Sequence, residues 1–380
     1  MPECASPLWP CALTGAATCF AGIEGMGVII HGSTGCYFYP ATALHRPIHC
    51  TSITGKDVIF GAEETLLRTV EELDGRYGRL AVLCSCVPSI TGEDVAKALG
   101  DRDVLVLESP GFSGDFESGY LAAAGAIDFP GDGTAPGINV DGLSLLDPFW
   151  RGNAIEAGRL LTMAGTAPAA PFFCGVSLTS SSSPWTVGAN PDIPSGKGAY
   201  LGMLIGFPAM KQAFRAIEDA TKCEGGEVWE EIAGSEERID AACDRFLRRH
   251  EPPRAALFGQ HRTMEAIAGM LVRFLDADIL GIGSRNTPGT SRFRVFSARD
   301  YALEEQFLEE EAPDLVLGSS FEQALSPSAA FVGVTHPIRG RVRLTARPLA
   351  GVQGACALVE DVLNACMDRE SCGPSGTAGP

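Results

Sequence analysis

Three cysteines in the first quarter of the chain lie close to residues that form tight turns. They are Cys11, Cys36 and Cys86, with Gly15, Gly35 and Gly92 nearby. Iron–sulfur clusters take thiolate ligands from such loops, because glycine lets the backbone approach the cluster and amide N–H groups offset its negative charge. These residue types therefore indicate a candidate iron–sulfur site. They are equally typical of buried thiols that act as small hydrophobic side chains.

Three thiolates leave a cluster short of at least one ligand, and we expect the rest from another subunit. The spacing adds little, because the sequence has no CxxC pair and no zinc-type spacing with His. Alternation along a strand places Cys84 inside a strand and Cys86 at its carboxyl end, where α/β proteins bind ligands. Cys19, Cys50 and Cys84 stay open as alternative ligands. His31 either tunes the cluster by hydrogen bonding or has a structural role in the turn.

Short β-branched runs alternate with amphipathic helical patterns along most of the chain. The predicted strands are residues 80–84, 103–107, 172–178, 255–258, 279–282, 314–317 and 331–334. The predicted helices are residues 62–73, 93–99, 152–163, 263–275 and 303–311. This alternation predicts an α/β protein with doubly wound layers, in which helices flank parallel sheets.

Two breaks divide the chain into three predicted α/β domains. The breaks are the Gly/Pro-rich residues 129–137 and Pro252-Pro253, which follow a charged helical run. The predicted domains are residues 1–135, which carry the cysteine loops, residues 136–252 and residues 253–370. Residues 371–380 contain Gly, Ser and Pro without an apolar pattern, which predicts a flexible tail.

The composition excludes several classes of protein. Across 380 residues the net charge is −18, which disfavours nucleic acid and anionic membranes as partners. No Lys or Arg precedes Arg46, and no apolar run approaches the roughly 20 residues that span a bilayer. We therefore expect a cytoplasmic protein. In that compartment an odd number of thiols, here 13, indicates metal ligands and buried thiols rather than disulfides.

Several linked motifs give the chain a family resemblance. In chain order they are Cys11-Ala12-Leu13-Thr14-Gly15-Ala16, Val28-Ile29-Ile30-His31-Gly32-Ser33-Thr34-Gly35-Cys36, His45-Arg46-Pro47-Ile48-His49-Cys50-Thr51-Ser52, Asp57-Val58-Ile59-Phe60-Gly61-Ala62-Glu63, Cys86-Val87-Pro88-Ser89-Ile90-Thr91-Gly92-Glu93-Asp94-Val95, Ser109-Pro110-Gly111-Phe112-Ser113-Gly114 and Ala312-Pro313-Asp314-Leu315-Val316-Leu317-Gly318. Their combination and order resemble nitrogenase component 1 and its relatives. The resemblance is strongest in residues 11–115.

The resemblance implies three Rossmann-like domains and a cluster shared between two related subunits. By motif position, Cys11, Cys36 and Cys86 match the three cysteines that each subunit supplies. The implied cofactor is an iron–sulfur cluster, either 4Fe-4S or P-cluster-like with 8Fe. The implied partners are an α-type subunit in an α2β2 heterotetramer and an ATP-dependent homodimeric iron protein. Some β subunits have a serine where this chain has Gly111, so we expect a cluster held by thiolates alone.

The resemblance also separates catalytic α-type subunits from β-type subunits. An α-type subunit holds its cofactor through a cysteine in the middle domain and a histidine near the C-terminus. Residues 188–207, where that cysteine would fall, contain none. Cys174 is typical of a core thiol in a strand-like run, and His336 of a loop histidine. The chain is therefore expected to be the β-type (K-type) subunit of an oxidoreductase, without catalytic residues of its own.

The compact length and residues 31–39 and 45–52 look most like methylthio-alkane reductases, which cleave C–S bonds. Two other functions within the resemblance stay open, a scaffold subunit for assembly of a nitrogenase-type cofactor and a subunit of a nitrogenase-like tetrapyrrole reductase. A metal-free pair of Rossmann-type domains, as in glycosyltransferases, is a third alternative.

Overall fold

The computed structural model describes residues 8–129 and 135–371. Residues 130–134 of the predicted first boundary and residues 372–380 of the predicted tail lie outside the described residues. Among the described helices none is both long and apolar enough to span a bilayer.

Strands and helices alternate along the described chain. The strands are β1 (Ile23–Glu24), β2 (Met26–His31), β3 (Ile48–Cys50), β4 (Arg79–Cys84), β5 (Val104–Glu108), β6 (Ile138–Asp141), β7 (Pro168–Pro171), β8 (Val176–Ser177), β9 (Trp185–Gly188), β10 (Ala199–Met203), β11 (Arg254–Gly259), β12 (Asp278–Ser284), β13 (Val295–Ser297), β14 (Leu315–Gly318) and β15 (Ala330–Gly333). The helices are α1 (Ala12–Ala21), α2 (Thr34–Ala43), α3 (Gly55–Phe60), α4 (Glu63–Leu73), α5 (Cys86–Thr91), α6 (Val95–Leu99), α7 (Phe116–Gly125), α8 (Trp150–Met163), α9 (Phe207–Thr221), α10 (Gly226–Leu247), α11 (His261–Leu275), α12 (Tyr301–Glu311), α13 (Ser320–Leu325) and α14 (Gly351–Ser371).

The sheet that carries the candidate cysteines has the strand order β3-β2-β4-β5, and its strands are parallel. Val28 and Ile30 of β2 face a core that α1 and α7 share, whereas Ile29 faces a second core with α4 and α6. Because both faces are covered, β2 is apolar along nearly its whole length. The sequence expectation of a parallel sheet flanked by helices is confirmed here.

Helices α1 and α7 pack at backbone contact distance. A Cβ atom at Gly15 would lie 1.9 Å from the carbonyl oxygen of Phe116, and one at Gly119 would lie 1.9 Å from that of Ala12. Neither position has room for a side chain. The close packing holds the first turn of α1 against the start of α7. The backbones of Cys11 and Asp115 form an isolated antiparallel β-bridge there.

Two further sheets lie later in the chain. One has the strand order β10-β9-β6-β7, and the other has the order β13-β12-β11-β14-β15. The strands of the second sheet are parallel, and it places β11 between β12 and β14. A short parallel pair joins β1 and β8.

The described chain divides into two compact units. The first contains residues up to 146 together with 169–184 and 193–199, and the second contains 147–168, 185–192 and residues from 200 onward. The division into three domains at residues 135 and 252 stays a prediction.

The predicted strand at residues 172–178 is wrong. Strand β7 ends at Pro171, and β8 covers only Val176 and Ser177. Between them Phe173 and Gly175 have φ angles of 60° and 93°, which turn the backbone out of an extended conformation. Phe172, Phe173 and Cys174 are apolar because they pack in the core, and not because they belong to a strand.

Candidate iron–sulfur site

Each of the three candidate cysteines lies at the N-terminal end of a helix. Cys11 is the N-cap residue of α1, Cys36 lies in the first turn of α2, and Cys86 is the first residue of α5. The N-terminal end of a helix presents free backbone N–H groups and a partial positive charge to a side chain there. All three side chains are partly exposed rather than buried.

The sulfurs of Cys11 and Cys86 meet at Gly111, in the loop that follows β5. The Gly111 N–H donates to Sγ of Cys86 at 3.1 Å. A Cβ atom at Gly111 would lie 3.2 Å from Sγ of Cys11 and 3.4 Å from Sγ of Cys86. Both sulfurs therefore flank a single backbone position, although Cys11 and Cys86 are far apart in the sequence.

The thiol of Cys36 belongs to the same group. Burial raises the pKa of Cys36 above its ordinary value, a hydrogen bond from Ser33 lowers it, and repulsion from the thiols of Cys86 and Cys11 raises it again. The Ser33 hydroxyl donates to Sγ of Cys36 at 3.6 Å. The structure thus brings together the three cysteines that the sequence analysis selected.

The other cysteines near the loops have different surroundings. Cys19 and Cys84 are fully buried, and burial is the main cause that raises the pKa of each thiol well above its ordinary value. Cys50 is partly exposed, but its sulfur accepts the Ser52 N–H at 3.2 Å and donates to the carbonyl of Gly32 at 3.5 Å. Among the described residues no contact joins Cys50 to the three cysteines at Gly111. Their environments are those of structural thiols.

One metal ion and a polynuclear cluster require different spacings of their ligand sulfurs. Within residues 8–129 and 135–371, no three His, Cys, Asp or Glu side chains are grouped closely enough to hold a single metal ion. In a polynuclear cluster each thiolate binds a different iron, so its ligand sulfurs lie further apart than those around one ion. The absence of a side chain at Gly111 lets its backbone lie against two of the sulfurs, which a Cβ atom there would crowd. Three thiols against a glycine backbone are a donor set that fits an iron–sulfur cluster.

Three large apolar side chains are exposed on helices of this region. Phe38 on α2 is 67% exposed, Phe60 on α3 79% and Ile90 on α5 72%. Helices α2 and α5 also carry Cys36 and Cys86, and α3 packs against α5. Exposed large apolar side chains are typical of surfaces that contact another protein.

Sequence reasoning missed the groups that hold the sulfurs in place. Ser33 is the N-cap residue of α2, and a Ser three residues before a cysteine at a helix start was a signal that could have identified it. Gly111 was considered only as the place where some relatives have serine. That its N–H group contacts Cys86 depends on the fold, because β5 brings residue 111 beside a cysteine 25 positions earlier.

Cys174 is a core thiol as expected, although it lies in a turned segment and not in a strand, and His336 lies in a loop as expected. Cys174 is 4% exposed and packs in the core. His336 lies in a loop after β15, and burial together with the nearby Arg339 lowers the pKa of its imidazole to about 4.

The family model for nitrogenase component 1 type oxidoreductases matches residues 11–178 and 197–367. The chain belongs to this family. Its match includes all three cysteines at Gly111 and covers most of both compact units.

Relatives and solved structures agree with this assignment. The iron-molybdenum cofactor biosynthesis protein NifE of Clostridium pasteurianum is 24% identical over 371 residues, which cover 83% of this chain and 79% of the relative. The nitrogenase molybdenum-iron protein beta chain of Methanococcus maripaludis is 22% identical over 444 residues, covering 96% and 94%. The solved structure of nitrogenase Cp1 at pH 6.5 superimposes with a TM-score of 0.83 at 18% identity, covering 98% of this chain and 95% of that one. The α/β fold is therefore that of a nitrogenase component 1 subunit.

Proposed function

We propose that this chain is the β-type subunit of a nitrogenase-like reductase and that Cys11, Cys36 and Cys86 hold an iron–sulfur cluster shared with an α-type subunit. In this role the cluster would pass electrons from an ATP-dependent iron protein to an active site on the partner, in an α2β2 complex in the cytoplasm. The cluster itself would supply one-electron redox chemistry. The protein would supply ligands, hydrogen bonds and an enclosure that limits water.

The observation that carries the proposal is the meeting of Cys11 and Cys86 at Gly111, with Cys36 near enough for their charges to raise its pKa. Cys11, Cys36 and Cys86 lie at the N-terminal ends of three separate helices, yet they come together at one edge of one parallel sheet. That edge is formed by the carboxyl ends of the strands, where α/β proteins bind their ligands. Cys19 and Cys84, by contrast, are buried among apolar side chains of the two cores.

The exposed apolar surface supports the shared site. Three cysteines are too few to complete a cluster, so another protein must supply the remaining ligands. Phe38, Phe60 and Ile90 form the kind of surface that a partner would cover.

The chemistry that we propose for the complex is reductive cleavage of a C–S bond in a methylthio-alkane. It rests on the likeness of residues 31–39 and 45–52 to methylthio-alkane reductases. With dimethyl sulfide as substrate, two electrons and two protons would give methanethiol and methane. The substrate would bind on the α-type subunit, because this chain has no cysteine in residues 188–207.

The test is electron delivery in the complex co-expressed with the α-type subunit and purified without oxygen. Reduced iron protein and MgATP should together produce methane from dimethyl sulfide, and neither should do so alone. Cys36→Ala should abolish this activity, whereas Cys50→Ala, which changes a partly exposed cysteine outside the group, should retain it. A complex that holds iron but gives no product with methylthio-alkanes would contradict the proposed substrate class, but not the proposed electron relay.

A scaffold for cofactor assembly is the second candidate, and the likeness to NifE over 83% of this chain favours it. A scaffold would bind a cluster precursor and release it to a cofactor-free acceptor. Loading the complex with iron and sulfide and then measuring activation of a cofactor-free nitrogenase distinguishes the two. Activation of the acceptor without turnover of its own would favour the scaffold over the reductase.

A further inference from the structure

His31 is a fully buried histidine whose two ring nitrogens both have side-chain partners. It ends β2, directly before the loop that leads to Cys36. Its Nε2 lies 3.0 Å from a carboxylate oxygen of Glu93, and its Nδ1 lies 3.1 Å from the hydroxyl of Thr51. A buried imidazole between a carboxylate and a hydroxyl has a hydrogen-bond acceptor opposite each ring nitrogen, so a proton on either nitrogen has a partner.

Thr51 connects this imidazole to the backbone of the Cys36 loop. Its hydroxyl oxygen accepts the Gly32 N–H at 3.1 Å. Gly32 packs so closely on Ser85 that a Cβ atom there would lie 2.0 Å from the Ser85 hydroxyl oxygen. Ser85 in turn precedes Cys86 in the chain. Histidine, threonine and loop therefore form one packed unit beneath two of the candidate ligands.

Glu93 connects the same imidazole to solvent. Its side chain is 17% exposed, while that of His31 is 0% exposed. Glu93 lines a surface cavity of about 340 Å³, together with Gly61, Glu63 and Lys97. The hydrogen bonds thus form a continuous path from the cavity through Glu93 and His31 to Thr51.

We propose that His31 and Glu93 take up from solvent the proton that accompanies one-electron reduction of the cluster held at Cys36, which rests on the proposed function. The electron comes from an external donor, the iron protein in the proposed complex. The proton comes from the cavity by way of Glu93. One negative and one positive charge are added together, so the net charge beneath the loop does not change.

The hydrogen bonds accommodate both protonation states. When the imidazole carries one proton, Nδ1–H donates to the Thr51 hydroxyl oxygen, whose two lone pairs accept both this group and the Gly32 N–H, and Nε2 carries no hydrogen. A proton taken up by Glu93 from the cavity then passes to Nε2, and Nε2–H of the doubly protonated imidazole donates to the Glu93 carboxylate. The carboxylate of Glu93 stays opposite Nε2 in each state.

Other ionisable groups face this pair from each neighbouring element. They are Cys50 on β3, Cys84 on β4, Glu108 on β5, and Glu63, Asp94 and Lys97 around the cavity. Of these, Cys84 is beside His31 in the sheet register, and Glu108 accepts a hydrogen bond from Ser89 at 2.8 Å. Glu63 lies in the same cavity, and no hydrogen bond joins it to His31 among the described residues.

The test is a redox titration of the cluster at two pH values one unit apart, followed by EPR in the anaerobic complex. For the native sequence the midpoint potential should become about 59 mV more negative for each tenfold decrease in proton concentration. Glu93→Gln keeps an oxygen opposite Nε2 but takes up no proton, so this dependence should be lost. His31→Gln should lose it as well, and Glu63→Gln, the matched control in the same cavity, should retain it.

Each outcome is decisive. A potential that does not depend on pH in the native sequence, or that depends on it equally in Glu93→Gln and His31→Gln, would overturn the relay while leaving the cluster in place. A complex that assembles without iron would contradict the proposed function and the relay together. Because His31 is buried, the partly exposed Glu93 provides a variant that tests the relay if His31→Gln does not fold.

Discussion

At the scale of single residues, Gly111 determines how much room Cys11 and Cys86 leave between them. A Cβ atom there would lie 3.2 Å from one sulfur and 3.4 Å from the other, so both must move by a few tenths of an ångström. We expect Gly111→Ala to lower the iron and acid-labile sulfide content of the complex with little change in folding stability. The control is Gly55→Ala at the start of α3, where a Cβ atom meets no heavy atom within 4 Å. Full iron content in Gly111→Ala would show that a Cβ atom at position 111 does not disturb cluster binding.

A second prediction at this scale concerns Asp147, which lies outside the candidate site. Burial raises the pKa of its carboxyl to about 6, against hydrogen bonds from the Phe149 N–H and the Asn153 side chain. Because the folded-state pKa lies above the unfolded-state value of about 3.9, the folded chain binds this proton more tightly. The stabilisation that this proton gives to the folded chain is therefore fully present below about pH 4. It is lost as the pH rises to about 6.

In the native sequence this effect lowers the free energy of unfolding by at most about 3 kcal/mol between these pH values, and we expect Asp147→Asn to remove it. Urea unfolding followed by circular dichroism across this pH range measures it, with the exposed Asp219→Asn as control. An equal fall in the free energy of unfolding with pH in Asp147→Asn and the native sequence would contradict the assignment.

Residue types and the order of the motifs identified the candidate ligands, but not the hydrogen bonds and contacts that position them. Cysteine beside glycine is visible in the sequence, and the order of the family motifs selected Cys11, Cys36 and Cys86 from 13 cysteines. The contact between Gly111 and Cys86, and the pairing of His31 with Glu93, join residues 25 and 62 positions apart. Such contacts depend on strand register and helix packing, which no local pattern encodes.

At the scale of secondary structure, the packing of α1 against α7 positions Cys11. A Cβ atom at Gly119 would lie 1.9 Å from the carbonyl oxygen of Ala12, so Gly119→Ala must push the helices apart. We expect a loss of about 1–3 kcal/mol in the free energy of unfolding and a lower iron content. Gly125→Ala on the same helix meets no heavy atom within 4 Å and should leave both unchanged or raise stability slightly. Equal unfolding midpoints for the two variants would contradict this account.

Periodicity predicted four elements of the layer that carries the candidate site, but not the three helices on which the cysteines lie. Strands β4 and β5 and helices α4 and α6 lie within two residues of their predicted bounds, because each has a continuous buried face. The failure at residues 172–178 has a simple cause, since a tightly turned segment buried in the core is as apolar as a strand. Strands β9 and β10 were not predicted, and their short sequences lack a clear alternation of apolar and polar residues.

At the scale of the whole molecule, the α/β class followed from the alternation of elements, and the family followed from the order of motifs. The parallel sheets flanked by helices confirm the class, and the family match over residues 11–178 and 197–367 confirms the family. Composition also limited the partners, because a net charge of −18 opposes binding to nucleic acid. The substrate cannot be predicted from this sequence in the same way as the fold, because in the proposed complex the α-type subunit binds it.

The most direct test of the account is the iron and acid-labile sulfide content, with EPR, of the anaerobically co-expressed complex. The native sequence should hold an iron–sulfur cluster, and Cys36→Ala should lose it or change its EPR signal. Cys50→Ala, whose thiol has its own hydrogen bonds outside the group at Gly111, should match the native sequence. An assembled complex without iron, or equal iron content and spectra in Cys36→Ala and the native sequence, would contradict the claim that these cysteines bind a cluster.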